Sequence, residues 1–218
     1  MKVLELFAGS RSFSKVAEEF RFETYTTDFK PFDKIDQVCD IFDFDLDWAD
    51  LDFATPDIIW ASPPCTAFSV ASIGYHWKGG NQAYIPKTEA AKISMKIVEH
   101  TWKIIQYYKE KNPNLIYIVE NPRGLLRKLD IIPHKPKTAW YCQYYGGEGI
   151  NRAKPTDLWT NLTWTPKSCK NGNPNCSHEP APRGSKTGTQ GLKNAYERSK
   201  VPEKLCKEII ENIIKLDK

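Results

Sequence analysis

The chain contains the stretch DIIWASPPC at residues 57–65. Its first part is short and apolar, which is typical of a buried strand, and the two prolines cannot donate to a strand ladder. The strand is therefore predicted to end at the prolines, and a stiff backbone then carries the thiol of Cys65. Ligands bind at the carboxyl ends of strands in open α/β sheets, so we expect this thiol at a functional site. A buried structural cysteine is the alternative interpretation.

Apolar runs of strand length alternate with helical patterns on both sides of this stretch. The spacing predicts strands at residues 3–7, 22–27, 35–40, 57–61 and 115–119, and helices at 13–20, 88–111 and 202–216. Such alternation predicts an α/β fold with a mainly parallel sheet. Two further strands are predicted at residues 140–145 and 158–164, a mobile loop at 72–86, and irregular structure at 165–191.

Length and composition limit the class of protein. The 218 residues are sufficient for one domain with a small appendage. No apolar run approaches the roughly 20 residues that cross a membrane, and the N-terminus lacks the features of a secretory signal. The six cysteines form no disulfide framework, which favours a reducing compartment. We therefore expect a cytoplasmic protein without a membrane partner.

Charge is distributed unevenly along the chain. Residues 1–122 hold 13 Lys and Arg against 18 Asp and Glu, whereas residues 123–200 hold 14 against 5. A basic second half predicts a surface that faces a polyanion, most commonly nucleic acid. A solvated basic face without a partner is the alternative.

Small and acidic residues follow the first three predicted strands. The sequence FAG at residues 7–9 includes a glycine, which lets a ligand approach the backbone closely. Asp28 follows the second strand, where a carboxylate can accept hydrogen bonds from a ribose, and Phe29 can stack on a base. Asp40 follows the third strand and can accept from a purine amino group. The first turn lacks the full Gly-x-Gly-x-x-Gly pattern, which disfavours a pyrophosphate-bearing dinucleotide. Simple turn formation by these aspartates is the alternative.

Glu120 follows the predicted strand 115–119 and precedes Asn121 and Pro122. A buried glutamate at a strand end can hydrogen-bond a heterocycle and exchange protons with it, because burial raises the pKa of a carboxyl group. A partly solvated surface glutamate is the alternative.

Three elements, in this order and spacing, resemble the cytosine-5 DNA methyltransferases: FAG at residues 7–9, PCTAFS at 64–69 and ENP at 120–122. The resemblance is clear over residues 1–160 and looser over 190–216. It implies a Rossmann-like, S-adenosylmethionine-dependent methyltransferase fold with a small irregular insert. The implied division is a catalytic core at 1–162, a reduced target-recognition insert at 163–195, and a C-terminal helical segment at 196–218 that packs back on the core.

The resemblance also implies a reaction, the transfer of a methyl group from S-adenosylmethionine to carbon 5 of a cytosine flipped out of double-stranded DNA. Cys65 would be the nucleophile that adds to carbon 6, and Glu120 would hold ring nitrogen 3 and the amino group. Arg152 matches an arginine that helps to hold the flipped base in this family, and Lys154 stands where a second arginine would. Phosphate contacts by these two cations are the alternative.

The cofactor pocket implied by the resemblance has eight residues: Phe7, Gly9, Asp28, Phe29, Asp40, Ile41, Pro63 and Ser199. The sequence departs from the family pattern at Ser10-Arg11, at Thr66 beside the nucleophile, and in the short insert. Methylation of tRNA cytosine, transfer of another group, and a nucleic-acid-binding module without catalysis are the alternative functions. Restriction and modification, phage self-protection and regulation are all compatible roles, and the expected location is the cytoplasm of a bacterial or phage-infected host cell.

The insert contains Cys169, Cys176 and His178. Cysteine and histidine are the usual zinc ligands, and zinc would organise a segment that is too small to form a core. Cys142 or Cys206 would be the fourth ligand. Unliganded thiols in a loop that contacts DNA are the alternative, because the spacing is not that of a standard zinc finger.

Overall fold

The structure is a computed structural model that describes residues 1–46, 55–79, 84–145, 152–178 and 194–216. Its elements in chain order are β1 (Lys2–Leu6), α1 (Ser12–Glu19), β2 (Glu23–Asp28), β3 (Gln37–Val38), β4 (Ile58–Ala61), α2 (Ile73–His76), β5 (Trp77–Lys78), β6 (Ile85–Pro86), α3 (Glu89–Lys111), β7 (Ile116–Pro122), β8 (Lys137–Trp140), β9 (Pro155–Thr160), α4 (Ala195–Ser199) and α5 (Glu203–Leu216). Short 3-10 turns lie at Ile41–Asp43, Leu126–Lys128 and Tyr141–Gln143.

Seven strands form the central sheet in the order β3-β2-β1-β4-β7-β9-β8. The five strands from β3 to β7 are parallel, and β9 runs antiparallel to both β7 and β8. The chain order reverses between β1 and β4, and this switch point opens a crevice at the carboxyl ends of the two strands. The predicted α/β, Rossmann-like fold is confirmed.

Alternate residues of the central strands enter two separate hydrophobic cores. Leu4 and Leu6 of β1 pack in a core with α3, whereas Val3 packs in a core with α1 and α5 on the other face. The helices thus form a layer on each side of the sheet, which explains why the central strand β4 is apolar on both faces. None of the helices in the described ranges is both long and apolar enough to span a membrane.

The predicted end of β7 at residue 119 is wrong. The strand continues to Pro122 because β9 pairs with it in antiparallel register, with Glu120 opposite Leu158 and Pro122 opposite Thr156. Glu120 is therefore fixed inside a central strand.

The predicted loop at residues 72–86 is partly structured. It contains α2 and the antiparallel pair β5–β6, and residues 80–83 lie outside the described part. Trp77 is buried and donates from Nε1 to the carbonyl of Ala67 at 2.7 Å. His76 Nδ1 pairs with Thr88 Oγ1 at 2.7 Å, which ties this segment to the start of α3.

Three other predicted strands are displaced or shortened. The strand predicted at 35–40 is only Gln37–Val38, because Asp40 begins a 3-10 turn by accepting from Phe42 N at 3.0 Å. The strands predicted at 140–145 and 158–164 are β8 and β9, each starting three residues earlier. Residues 163–178 contain no helix or strand, as expected for the insert.

Candidate active site

Two adjoining cavities lie at the carboxyl ends of the parallel strands. The first, of about 220 Å³, contains Cys65 and Glu120 in its wall, and the second, of about 190 Å³, contains Asp28 and Asp40. Phe7 and Pro64 line both cavities and separate them. The switch point of the sheet therefore carries one elongated site with two compartments.

All eight predicted cofactor residues line one or both cavities. Among them, those that line the first cavity are Phe7, Gly9, Pro63 and Ser199. Those that line the second are Phe7, Asp28, Phe29, Asp40 and Ile41. Sequence reasoning did not identify Glu5, Ser12 and Ile97, which also line them.

The turn after β1 has an unusual backbone. Phe7, Gly9 and Arg11 all have positive φ, at 58°, 45° and 53°. Such strain in residues other than glycine costs about 1–3 kcal/mol each and is common at functional sites. Glu5 stabilises the helix that follows, because its carboxylate accepts from Ser14 N at 2.8 Å and Phe13 N at 3.4 Å. The turn between them presents its backbone to the first cavity.

Asp28 joins the first two strand ends. Its Oδ2 accepts from Gly9 N at 3.0 Å and its Oδ1 from Lys30 N at 3.0 Å. Burial raises the pKa of Asp28, while these two backbone donors act in the opposite direction. Phe29 beside it is 61% exposed, so an apolar ring stands open at the edge of the second cavity.

The backbone after β4 holds Cys65 firmly. Asn121 Nδ2 donates to the carbonyl of Pro63 at 2.9 Å, and both Phe68 N and Ser69 N donate to the carbonyl of Cys65 at 3.0 Å. Phe68 is fully buried and anchors the turn in the core. Cys65 thus follows the end of β4 by four residues, in a turn held by these hydrogen bonds.

Charged neighbours of the thiol act in opposite directions. Burial raises the pKa of Cys65, and the carboxyl of Glu120 raises it further, whereas the cations Lys154 and Arg198 lower it. A thiol in a site of this kind ionises more easily when Glu120 is neutral, since the two negative charges would repel each other.

Glu120 is 5% exposed and faces Cys65 across the first cavity. Tyr141 donates from its hydroxyl to Glu120 Oε1 at 2.9 Å. Burial raises the pKa of Glu120, while Lys154 and the hydrogen bonds from Tyr141 and Ser62 lower it. A carboxyl group with a raised pKa is suited to hold and release a proton near neutral pH.

Lys154 brings a cation to the same wall, and Arg152 does not line the cavity. The Lys154 ammonium donates to the carbonyl of Arg198 at 2.7 Å and lies 4.6 Å from the centre of the Tyr141 ring. Burial lowers the pKa of Lys154, and Glu120 and Cys65 raise it. The role of Arg152 at the base stays a prediction; its Nε is buried without a hydrogen-bond partner among the described residues.

A second cluster of reactive side chains lies in the insert. Cys142 joins Cys169, Cys176 and His178, and their ligand atoms all lie within 4.8 Å of one another. His178 Nδ1 is 3.1 Å from Cys176 Sγ, and its Nε2 is 3.3 Å from Asn171 Oδ1. Of the two predicted fourth ligands, Cys142 is in this cluster; Cys206 instead lies buried in the core with α1 and α5.

Comparisons with known proteins identify similar proteins and a family. A protein of Frog virus 3 (isolate Goorha), named "Probable DNA (cytosine-5)-methyltransferase", is 29% identical over 185 residues, which are 83% of this chain and 81% of that protein. A crystal structure of a triple mutant of Spodoptera frugiperda DNMT2 is similar with a TM-score of 0.40 and 17% identity, covering 75% of this chain. The chain spans about half the length of that structure, 51%. The family C-5 cytosine-specific DNA methylase matches residues 1–132. The predicted family and enzyme class are thereby confirmed, and the chain belongs to the C-5 cytosine-specific DNA methylases.

Proposed function

We propose that the protein transfers a methyl group from S-adenosylmethionine to carbon 5 of a cytosine in double-stranded DNA, through a covalent adduct with Cys65. The observation that carries this proposal is that Cys65 and Glu120 face one cavity at the switch point of the sheet. Family membership supports the same reaction.

The two compartments fit a cofactor with two chemically different ends. The second cavity combines the apolar surfaces of Phe29 and Ile41 with the carboxylates of Asp28 and Asp40, which suits an adenosine. The first cavity adjoins it at Phe7 and reaches Cys65. When bound, S-adenosylmethionine supplies an electrophilic methyl group.

The residues of the first cavity supply the remaining chemistry. The Cys65 thiolate forms a bond to carbon 6 of the ring, and the electron pair of the 5,6 double bond moves toward carbon 5 and nitrogen 3. Protonated Glu120 gives its proton to nitrogen 3 and so neutralises the charge that arrives there. Carbon 5 then takes the methyl group and loses its hydrogen to water. The double bond reforms, Cys65 leaves as a thiolate, and the proton on nitrogen 3 returns to Glu120.

The substrate must come to this cavity as a single unstacked base, because its ring carbons cannot be reached inside a duplex. Two basic residues, Lys154 and Arg198, lie in the cavity wall. We assign target recognition to the insert at 163–195, of which residues 179–193 lie outside the described part, and Arg152 to the flipped base. All six cysteines are free, in keeping with action in the reducing cytoplasm of a bacterial or phage-infected host cell.

The test is transfer of a labelled methyl group to duplex DNA and, in parallel, to tRNA, with nucleosides identified by mass spectrometry. We expect 5-methylcytosine in DNA, none with Cys65→Ser, and an unchanged product with Cys206→Ala, which removes a thiol of the opposite core. Labelled tRNA with unlabelled DNA would replace the proposed substrate, and full activity of Cys65→Ser would refute the proposed mechanism.

We also propose that the cluster Cys142, Cys169, Cys176 and His178 holds a zinc ion. Four ligands at zinc distances stand about 3.6–3.8 Å apart, and the cluster needs only small side-chain movements to reach this. Asn171 supports the assignment, because its Oδ1 can accept from His178 Nε2–H and leave Nδ1 free to bind the metal. The ion would join residues 169–178 to the turn that carries Cys142.

Metal analysis of the purified protein tests the zinc proposal. We expect about one zinc per chain, loss of the metal in Cys142→Ala and Cys176→Ala, and its retention in Cys206→Ala. A protein without zinc after purification in zinc-containing buffer, or full retention in Cys142→Ala, would refute this ligand set.

A further inference from the structure

We propose that Tyr141 is a positioning residue that holds the carboxyl group of Glu120 in the orientation needed to give a proton to the cytosine ring. This inference rests on the proposed function and extends it to a residue that does not line the cavity. Its basis is a buried hydrogen bond between a strand of the sheet and the 3-10 turn that follows β8.

The contact between the two side chains is short and sealed from water. Tyr141 is 0% exposed, and its hydroxyl donates to Glu120 Oε1 at 2.9 Å. The phenol hydroxyl is the donor of this hydrogen bond, and the carboxyl oxygen accepts it.

The Tyr141 ring is fixed by its surroundings. Its carbonyl accepts from Tyr144 N at 2.9 Å, and its backbone N–H donates to the carbonyl of Lys154 at 3.4 Å. The ammonium group of Lys154 covers the ring at 4.6 Å, an arrangement that attracts a cation to the ring face. Tyr141 thus contacts both the acid and the cation of the active site.

The hydrogen bond decides which oxygen of Glu120 carries the proton. A donor at Oε1 disfavours a second hydrogen on that atom, so the acidic proton resides on Oε2. Oε1 then remains an acceptor and can also accept a hydrogen bond from the amino group of cytosine, while Oε2–H donates to nitrogen 3. Without the phenol the carboxyl can rotate and present the wrong oxygen to the ring.

The test compares Tyr141→Phe with Tyr144→Phe, a matched loss of one buried phenol hydroxyl. Tyr144 packs in the same core as Tyr141, but its hydroxyl donates to Glu208 Oε1 at 3.1 Å, and neither Tyr144 nor Glu208 lines the cavity, so it serves as the control. Single-turnover methyl transfer to DNA is measured against pH for both variants and the wild type, together with DNA affinity and thermal stability.

We expect Tyr141→Phe to slow the chemical step by about ten- to hundredfold, the range for loss of a hydrogen bond to a group that becomes charged as it gives up its proton, with DNA affinity nearly unchanged. The hydrogen bond from Tyr141 lowers the pKa of Glu120, so its loss should also move the alkaline limb of the profile to higher pH. Tyr144→Phe should leave rate and profile unchanged.

A Tyr141→Phe rate within about twofold of wild type, or an unmoved alkaline limb with only a lower melting temperature, would overturn the positioning role. An inactive wild type would instead overturn the proposed function, so the two failures are distinguishable.

Discussion

Replacing Arg127 by alanine should destabilise the fold by an amount that depends on pH. Arg127 Nη2 lies 2.9 Å from Asp157 Oδ1, and the Asp157 side chain is 0% exposed. Asp157 stands opposite Asn121 in the β7–β9 ladder, beside the strand position of Glu120. Removing one partner of a buried ion pair costs about 3–5 kcal/mol. Because 27% of the Arg127 side chain is exposed, we expect the lower end of this range, about 3 kcal/mol.

The sign of the pH dependence follows from Asp157. Burial raises its pKa in the folded protein above the unfolded value, and Arg127 opposes that rise. The contribution of Asp157 therefore favours folding at low pH and is lost as pH rises through the folded pKa. Without Arg127 the pKa of Asp157 in the folded protein rises further. Once Asp157 is protonated, its carboxyl is neutral and the absence of the Arg127 charge no longer costs stability. The cost of Arg127→Ala should be largest near pH 8 and shrink in acid.

Urea unfolding of Arg127→Ala and wild type, at pH 8 and pH 5, measures this cost. We expect an unchanged denaturant slope in urea and, in thermal unfolding at pH 8, a melting temperature lower by about 6–12 °C. Lys92→Ala is the control, because Lys92 forms an exposed pair with Glu89 and should cost less than about 1 kcal/mol. An equal cost at both pH values, or one below about 1 kcal/mol at pH 8, would refute the reasoning.

Three further substitutions test the support of the nucleophile. Asn121→Ala removes the 2.9 Å bond to the Pro63 carbonyl; urea unfolding should show a loss of about 1–3 kcal/mol, and unchanged kcat would contradict the positioning of the turn. Lys154→Met removes a cation that lowers the pKa of Cys65. The acidic limb of the pH profile of kcat/KM should move to higher pH, and the rate at neutral pH should fall on the order of 100-fold. An unmoved limb would exclude the electrostatic role of Lys154. Gly124→Ala places a Cβ against a backbone carbonyl of the segment after Cys65; thermal unfolding should occur at lower temperature, and wild-type stability would show that the close approach is not rigid.

The local part of the active site could be predicted from the sequence. Apolar runs and their stops are local signals, so the placement of Cys65, Asp28 and Gly9 near strand ends follows from residues close in the chain. The parallel order of the strands then brings these ends together. The same reasoning ends the strand before Glu120, whereas antiparallel pairing with the distant strand β9 extends it to Pro122.

The residues that surround Glu120 come from distant parts of the chain. Tyr141 and Lys154 reach it through the β8–β9 pair, whose register depends on tertiary packing rather than on any local pattern. The choice of Cys142 over Cys206 beside Cys169 is of the same kind, since both thiols are far from the insert in sequence. Contacts between distant segments therefore determine which residues surround Glu120 and which thiol lies beside Cys169, and no local pattern in the sequence predicts them.

Covalent trapping tests the central claim most directly. Duplex DNA that contains 5-fluorocytosine is mixed with the enzyme and S-adenosylmethionine, and the products are examined by denaturing electrophoresis and mass spectrometry. Fluorine cannot leave carbon 5 as a proton does, so the adduct should accumulate with a bond between Cys65 Sγ and carbon 6 and a methyl group on carbon 5. The account predicts this adduct in the wild type and its absence in Cys65→Ser. An active wild type that forms no adduct, or an adduct that persists in Cys65→Ser, would contradict it.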